Sequence, residues 1–142
     1  KRQKCILSTY DNYAVLAFRY TNTVTNFIDD ILIYSKTTME NLGSKANVQS
    51  SHWKLWNAVK ANVTRDLKII QSQTKSKTLY VTGISLGGAL AQIAFVDIYF
   101  EHIFENVKLT TFGSPRVGSK EFAADLDALT GSNTKRYYIK GD

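Results

Sequence analysis

The sequence predicts an α/β fold: a mostly parallel sheet with helices on both faces, opened by an N-terminal hairpin. Three features of the 142 residues carry this expectation. Strand-like and helix-like segments alternate through the second half, the middle apolar runs are apolar along their whole length, and the chain opens on two apolar runs around a polar turn. No repeat or linker divides the text, so residues 1–142 are expected to form one domain, a partial one cut at its C-terminus.

Cys5-Ile6-Leu7-Ser8 and Tyr13-Ala14-Val15-Leu16-Ala17-Phe18 flank Asp11-Asn12 and read as the hairpin. From Thr21 to Leu32 the apolar residues Val24, Phe27, Ile28, Ile31 and Leu32 recur at helical spacing, with Asp29 and Asp30 on the other side, which predicts a short amphipathic helix. Ser35 to Gln49 is polar and reads as loop with at most one short strand. Trp53, Trp56, Val59, Val63, Leu67 and Ile70 are three or four apart, and Lys54, Lys60, Arg65 and Lys68 fall mostly off that face, which predicts a sheet-packing helix. A strand at 78–82, a long apolar helix at 86–104, a strand at 107–112, a helix at 120–129 and a strand at 135–140 complete the order. Such alternation implies parallel neighbours joined by right-handed crossovers.

Gly83-Ile84-Ser85-Leu86-Gly87-Gly88-Ala89 stands between the strand ending at Thr82 and the long apolar helix. A G-x-S-x-G at a strand-to-helix turn is the context in which that pentapeptide means a nucleophile. The turn is so sharp that the residues two before and two after the serine must be small, and Gly83 and Gly87 are. The same geometry lifts the Ser85 hydroxyl to the carboxyl end of the sheet and to the helix N-terminus, where unpaired N–H groups favour developing negative charge. Gly88, Ala89 and Ala91 let the helix approach the sheet closely.

This run, followed by Thr111-Phe112-Gly113-Ser114-Pro115-Arg116-Val117-Gly118, resembles the fungal-type (class 3) lipases of the α/β-hydrolase fold. The likeness extends to Ala17-Phe18-Arg19-Tyr20-Thr21, to Asn26-Phe27-Ile28-Asp29-Asp30-Ile31 and to the helix with Trp56, and so covers nearly the whole chain. It implies Ser85 as nucleophile, the N–H groups of Leu86 and Thr21 as oxyanion hole, Asp142 as the triad carboxylate, and a lid bearing Val24, Phe27, Ile28 and Ile31. Hydrolysis of lipid esters such as acylglycerols, at a lipid–water interface and outside the cell, is what the resemblance implies; that chemistry requires no cofactor. Ile84 stands where the family usually has His, and Tyr20 where it has Gly.

Triad order on this fold is Ser, acid, His, and the text stops at Asp142. His102 lies on the same predicted helix as Ser85, about 25 Å away at 1.5 Å per residue, and His52 aligns with a packing position of the family, so neither is expected to be the base. A missing base makes a non-catalytic pseudoenzyme, or an inactive fragment binding lipid or a protein partner, the rival reading. Eighteen Lys and Arg against twelve Asp and Glu give +6, but the cations are scattered without interleaved aromatics, the pattern of a solvated surface and not of a nucleic-acid site. No run of ~18 apolar residues exists to span a membrane. Cys5 alone allows no internal disulfide and no Cys-based zinc site. Lys1 opens the chain with no signal-peptide pattern behind it, so the chain is expected to be a piece or a processed form.

Overall fold

The two apolar runs around Asp11-Asn12 form the opening hairpin, β1 (Cys5–Thr9) and β2 (Tyr13–Phe18), paired antiparallel with Cys5 opposite Phe18, and along β2 every second residue is buried. The computed structural model describes residues 5–19, 36–42 and 45–140. β2 continues the sheet in parallel with β5 (Thr78–Ile84), β5 with β6 (Asn106–Phe112) and β6 with β7 (Thr134–Tyr137), giving five strands in the order β1-β2-β5-β6-β7. The helix expected between Thr21 and Leu32 lies outside the described residues.

Residues 36–49, expected to be loop with at most one strand, instead hold two: β3 (Lys36–Thr38) and β4 (Asn47–Gln49), antiparallel to each other, with a 3-10 turn at Glu40–Leu42 between them. Each is three residues long, too short for alternation to show. What defines β4 is a partner seventy residues away: Val48 bridges Gly118, Gln49 N–H donates to the Val117 carbonyl at 2.9 Å, and Ser119 N–H donates to the Asn47 carbonyl at 2.8 Å. A Cβ on Gly118 would overlap the Asn47 carbonyl oxygen, so this crossing requires glycine there.

β4 leads straight into α1 (Ser50–Gln73), which buries Trp56, Val63 and Leu67 along the expected stripe. α2 (Leu86–Glu101) follows β5 and is buried residue after residue from Leu86 to Ile98, because it lies between the sheet and α1. A helix that is apolar all round is stable in water only when so enclosed. It ends three residues before the expected Phe104: His102 adopts a left-handed conformation (φ 52°), and Phe104 is buried after the turn instead of continuing the helix. α3 (Lys120–Thr130) is capped by Ser119, whose hydroxyl accepts from Phe122 N–H at 3.2 Å. A backbone hydrogen bond, then one from Ser119, holds the exposed Glu121 carboxyl below its ordinary range. β7 stops at Tyr137 and not at the expected Lys140, since its ladder partner β6 ends at Phe112, opposite Tyr137.

Among the described residues, helix packing is seen on one face of the sheet. Leu16, Phe18, Leu79, Val81, Leu109 and Thr111 share the face under α2, and Trp56 of α1 meets Phe18 edge-on on that same side. Ile84, Phe112 and Tyr137 are in register on the other face and are 51%, 43% and 51% exposed, so among the described residues no helix covers them. The reason is topological. Each parallel step, β2 to β5 to β6 to β7, moves in one direction, and right-handed crossovers taken in one direction place their helices on one side.

One polar cluster ties the helical layer together. Asp97 of α2, 4% exposed, accepts hydrogen bonds from Trp56 Nε1 (2.6 Å) and Asn41 Nδ2 (3.3 Å) and pairs with Lys60 Nζ at 2.9 Å. A buried carboxylate deprived of a donor keeps its desolvation cost. Trp56→Phe, which keeps the ring but removes the N–H, is therefore expected to lower stability by about 2 kcal/mol. Urea unfolding checks this: the midpoint should fall with the slope unchanged.

Candidate active site

β5 runs two residues further than its apolar pattern indicated, to Ile84, and Ser85 then turns the chain into α2. Its backbone sits at φ 54°, ψ −125°, a region that residues with a Cβ rarely occupy. The surroundings hold it there. Ser85 N–H donates to the Phe112 carbonyl at 2.9 Å, extending the ladder to β6, while the Ser85 carbonyl accepts from Gly88 N–H (2.9 Å) and Ala89 N–H (3.2 Å) as the first acceptor of the helix. With its backbone engaged on both sides, the half-buried serine is left at the tip of the turn.

The glycines are demanded by crowding. A Cβ on Gly83 would overlap the Gly87 carbonyl, and one on Gly87 would overlap the Phe18 carbonyl at the end of β2. A Cβ on Gly88 would stand 2.8 Å from Ser114 Cβ, on the loop after β6. The turn is thus clamped between the carboxyl ends of two neighbouring strands, and any side chain at Gly83 or Gly87 would meet main chain, which cannot step aside.

Leu86 opens α2 with its side chain buried, and the first amides of a helix have no carbonyl within the helix to donate to. The structure therefore brings Gly83, Ser85, Leu86 and Gly87 together at the carboxyl end of the sheet. Thr21, Asp142 and the stripe Val24, Phe27, Ile28 and Ile31 lie outside the described residues. His102 caps the far end of α2, and His52 is buried in the first turn of α1. Burial, and then the charge of Asp66, pushes the Cys5 thiol above its ordinary value, which is the reverse of an activated nucleophile. Among the described residues no three His, Cys, Asp or Glu side chains gather as a metal would need, and no helix is long and apolar enough to cross a membrane.

A second set of contacts was not foreseen from the sequence. Gln92 Nε2 donates to Ser114 Oγ at 2.8 Å inside the protein, and Arg136 Nη2 of β7 donates to the Ser114 carbonyl at 2.9 Å. Gly113 N–H donates to the Tyr137 carbonyl at 2.8 Å, and the Phe112 and Tyr137 rings stack with centroids 5.2 Å apart. A polar Gln92 in the apolar first half of the helix was the available signal, one turn beyond Gly88 and on its face.

Comparison with known proteins gives a consistent result. The family model described as Lipase (class 3) matches residues 15–142. Secreted mono- and diacylglycerol lipase A of Penicillium cyclopium is 31% identical over 114 residues, which cover 80% of this chain and 36% of that protein. A lipase from Rhizopus microsporus var. chinensis superposes with a TM-score of 0.80 at 26% identity, covering 89% of this chain and 45% of that one. A triacylglycerol lipase described as having a serine protease triad for its catalytic centre superposes at 0.78 with 26% identity, covering 96% of this chain and 52% of that one. The chain spans about a third of the length of the curated relative (36%). The likeness to these solved lipases identifies the mostly parallel sheet as part of an α/β-hydrolase fold.

Proposed function

The chain belongs to the class 3 lipase family, and on that premise we propose that residues 1–142 form part of the catalytic domain of an enzyme that hydrolyses lipid esters through an acyl-Ser85 intermediate. The observation that carries this reading is the backbone of Ser85, held at φ 54° in a turn whose Gly83 packs on the main chain of Gly87 and whose Gly87 packs on the end of β2, so that both must be glycine. Strain of this kind costs about 1–3 kcal/mol and persists where a function depends on it.

In the proposed reaction Ser85 Oγ attacks the ester carbonyl while a histidine takes its proton. The new C–O bond forms as the carbonyl π electrons move to oxygen, and the Leu86 and Thr21 N–H groups receive that charge. Return of the proton to the leaving alcohol breaks the ester bond, and water repeats the sequence on the acyl-enzyme. Support for Thr21 comes from β2, whose end at Phe18 and Arg19 packs on Gly87, two residues before Thr21 in sequence. Asp142 is proposed to orient the base, which is neither His52 nor His102. Lipid esters as substrate, and a location outside the cell, rest on relatives named as secreted mono- and diacylglycerol lipases.

A fluorophosphonate probe tests the reading. In the natural polypeptide that contains these residues, label is expected on Ser85 alone by mass-spectrometric mapping; label on another serine, or persisting in Ser85→Ala, would overturn it.

On sequence alone, the apolar stripe Val24, Phe27, Ile28 and Ile31 is proposed as a lid that turns outward at a lipid surface. The rate should then rise across the aggregation point of the ester, as for a lid whose movement completes the site. Phe27→Asp should abolish the rise. Equal rates across the aggregation point would assign the stripe to a fixed helix.

A further inference from the structure

Ser114 is where three parts of the active end meet. Its Cβ fills the space that Gly88 leaves on the first turn of α2, its hydroxyl is gripped by Gln92 one turn later, and its carbonyl is held by Arg136 of β7. Gly113, at φ 53°, turns the chain out of β6 so that the loop can fold back onto the elbow, and its N–H ties that turn to Tyr137.

We infer that Arg136 is a positioning residue for the proposed hydrolysis: by holding the Ser114 carbonyl it fixes the end of β7, the strand that leads in sequence to Asp142, against the helix that carries Ser85. The inference rests on Ser85 as nucleophile. Arg136 is exposed, and among the described residues its guanidinium makes no ion pair. Its bond goes to a main-chain carbonyl, a contact that sets the position of backbone and not the balance of charge, and a charged donor makes it the stronger. β7 has β6 as its one described neighbour in the sheet, and the ladder between them ends at Tyr137, so among the described residues no ladder bond registers those beyond it. Two contacts besides the ladder, the Gly113–Tyr137 hydrogen bond and the Phe112–Tyr137 stack, brace the end of β7 against β6. Among the described side chains, that of Arg136 is the one on β7 that bonds Ser114 itself, the residue that contacts the elbow helix.

The test compares wild type, Arg136→Met and Arg136→Lys in the natural polypeptide on a short-chain nitrophenyl ester, counting active sites by exhaustive fluorophosphonate labelling of Ser85. Displacement of a reacting group by about 1 Å costs about 10²-fold, so kcat per labelled site should fall by about that factor in Arg136→Met, with KM within about twofold. Arg136→Lys, which keeps a charged donor, should recover most of the loss. Fewer labelled sites with unchanged kcat per site would mean that Arg136 only stabilises the fold, and Lys no better than Met would mean that donation to Ser114 is irrelevant; either overturns the inference. Should Arg136→Met fail to fold, Gln92→Leu releases the same serine from the helix side and Arg136→Gln replaces the charged donor by a shorter neutral one; kcat per site unchanged in both overturns it as well. Wild type that turns over ester without label at Ser85 would show that the nucleophile reading had failed, before any Arg136 variant is compared.

Discussion

Replacing Ser85 by Ala is expected to reduce ester turnover about 10⁶-fold, the loss seen when a triad serine is removed from a hydrolase whose machinery acts as a unit. Folding should survive, because Ser85 contributes its backbone to the structure: its N–H bonds Phe112, and its carbonyl starts the helix. Ser85→Gly separates function from strain. Glycine occupies φ 54° without penalty, so this variant should be as inactive as Ser85→Ala yet melt higher, by about 1 kcal/mol of stability after the greater freedom of the unfolded chain is offset. The measurements are nitrophenyl ester turnover and thermal unfolding of wild type and both variants. Residues 1–142 by themselves should resemble Ser85→Ala in rate, since His102 lies a whole helix away and His52 is buried. Turnover in Ser85→Ala within about tenfold of wild type would remove Ser85 from the mechanism, being far short of the loss a nucleophile's absence causes.

Gly83→Ala and Gly87→Ala should each destabilise the protein by about 4 kcal/mol or more, at the upper end of overpacking effects, because the added methyl meets main chain and not a side chain that can rotate away. Gly131→Ala is the control. Gly131 also departs from ordinary backbone, at φ 50°, but nothing lies within 4 Å of a Cβ there, so the cost should be the conformational one of about 1 kcal/mol. Denaturant midpoints of the three variants decide the matter. Equal losses at Gly83 and Gly131 would mean that the elbow is loose enough to absorb a methyl group, and a loose elbow could not hold Ser85 in its strained conformation.

Much of the fold was legible because it is written in local periodicities. The stripe from Trp56 through Val63 to Leu67 forms one side of a helix wherever that helix packs, and the order of strands and helices restricts the sheet to parallel steps. Element ends were less legible. α2 stops at Glu101 although Ile103 and Phe104 prolong its apolar run, because burial is equally available to those residues after a left-handed turn. β7 stops at Tyr137 because its partner does.

The sequence by itself determined the alternating α/β order, the family and the position of the serine, since a G-x-S-x-G between a strand and an apolar helix is a local statement about which residues a sharp turn tolerates. It could not determine what presses on that turn. That Gly87 must be glycine because of Phe18, that Gly118 must be glycine because of Asn47, that Ser114 is gripped by Gln92 and Arg136, and that Ile84, Phe112 and Tyr137 share a face no described helix covers are all outcomes of tertiary structure. The physical reason is common to all four: each depends on the distance between atoms far apart in the chain, which is set only when the strands have paired and the crossovers have chosen a side.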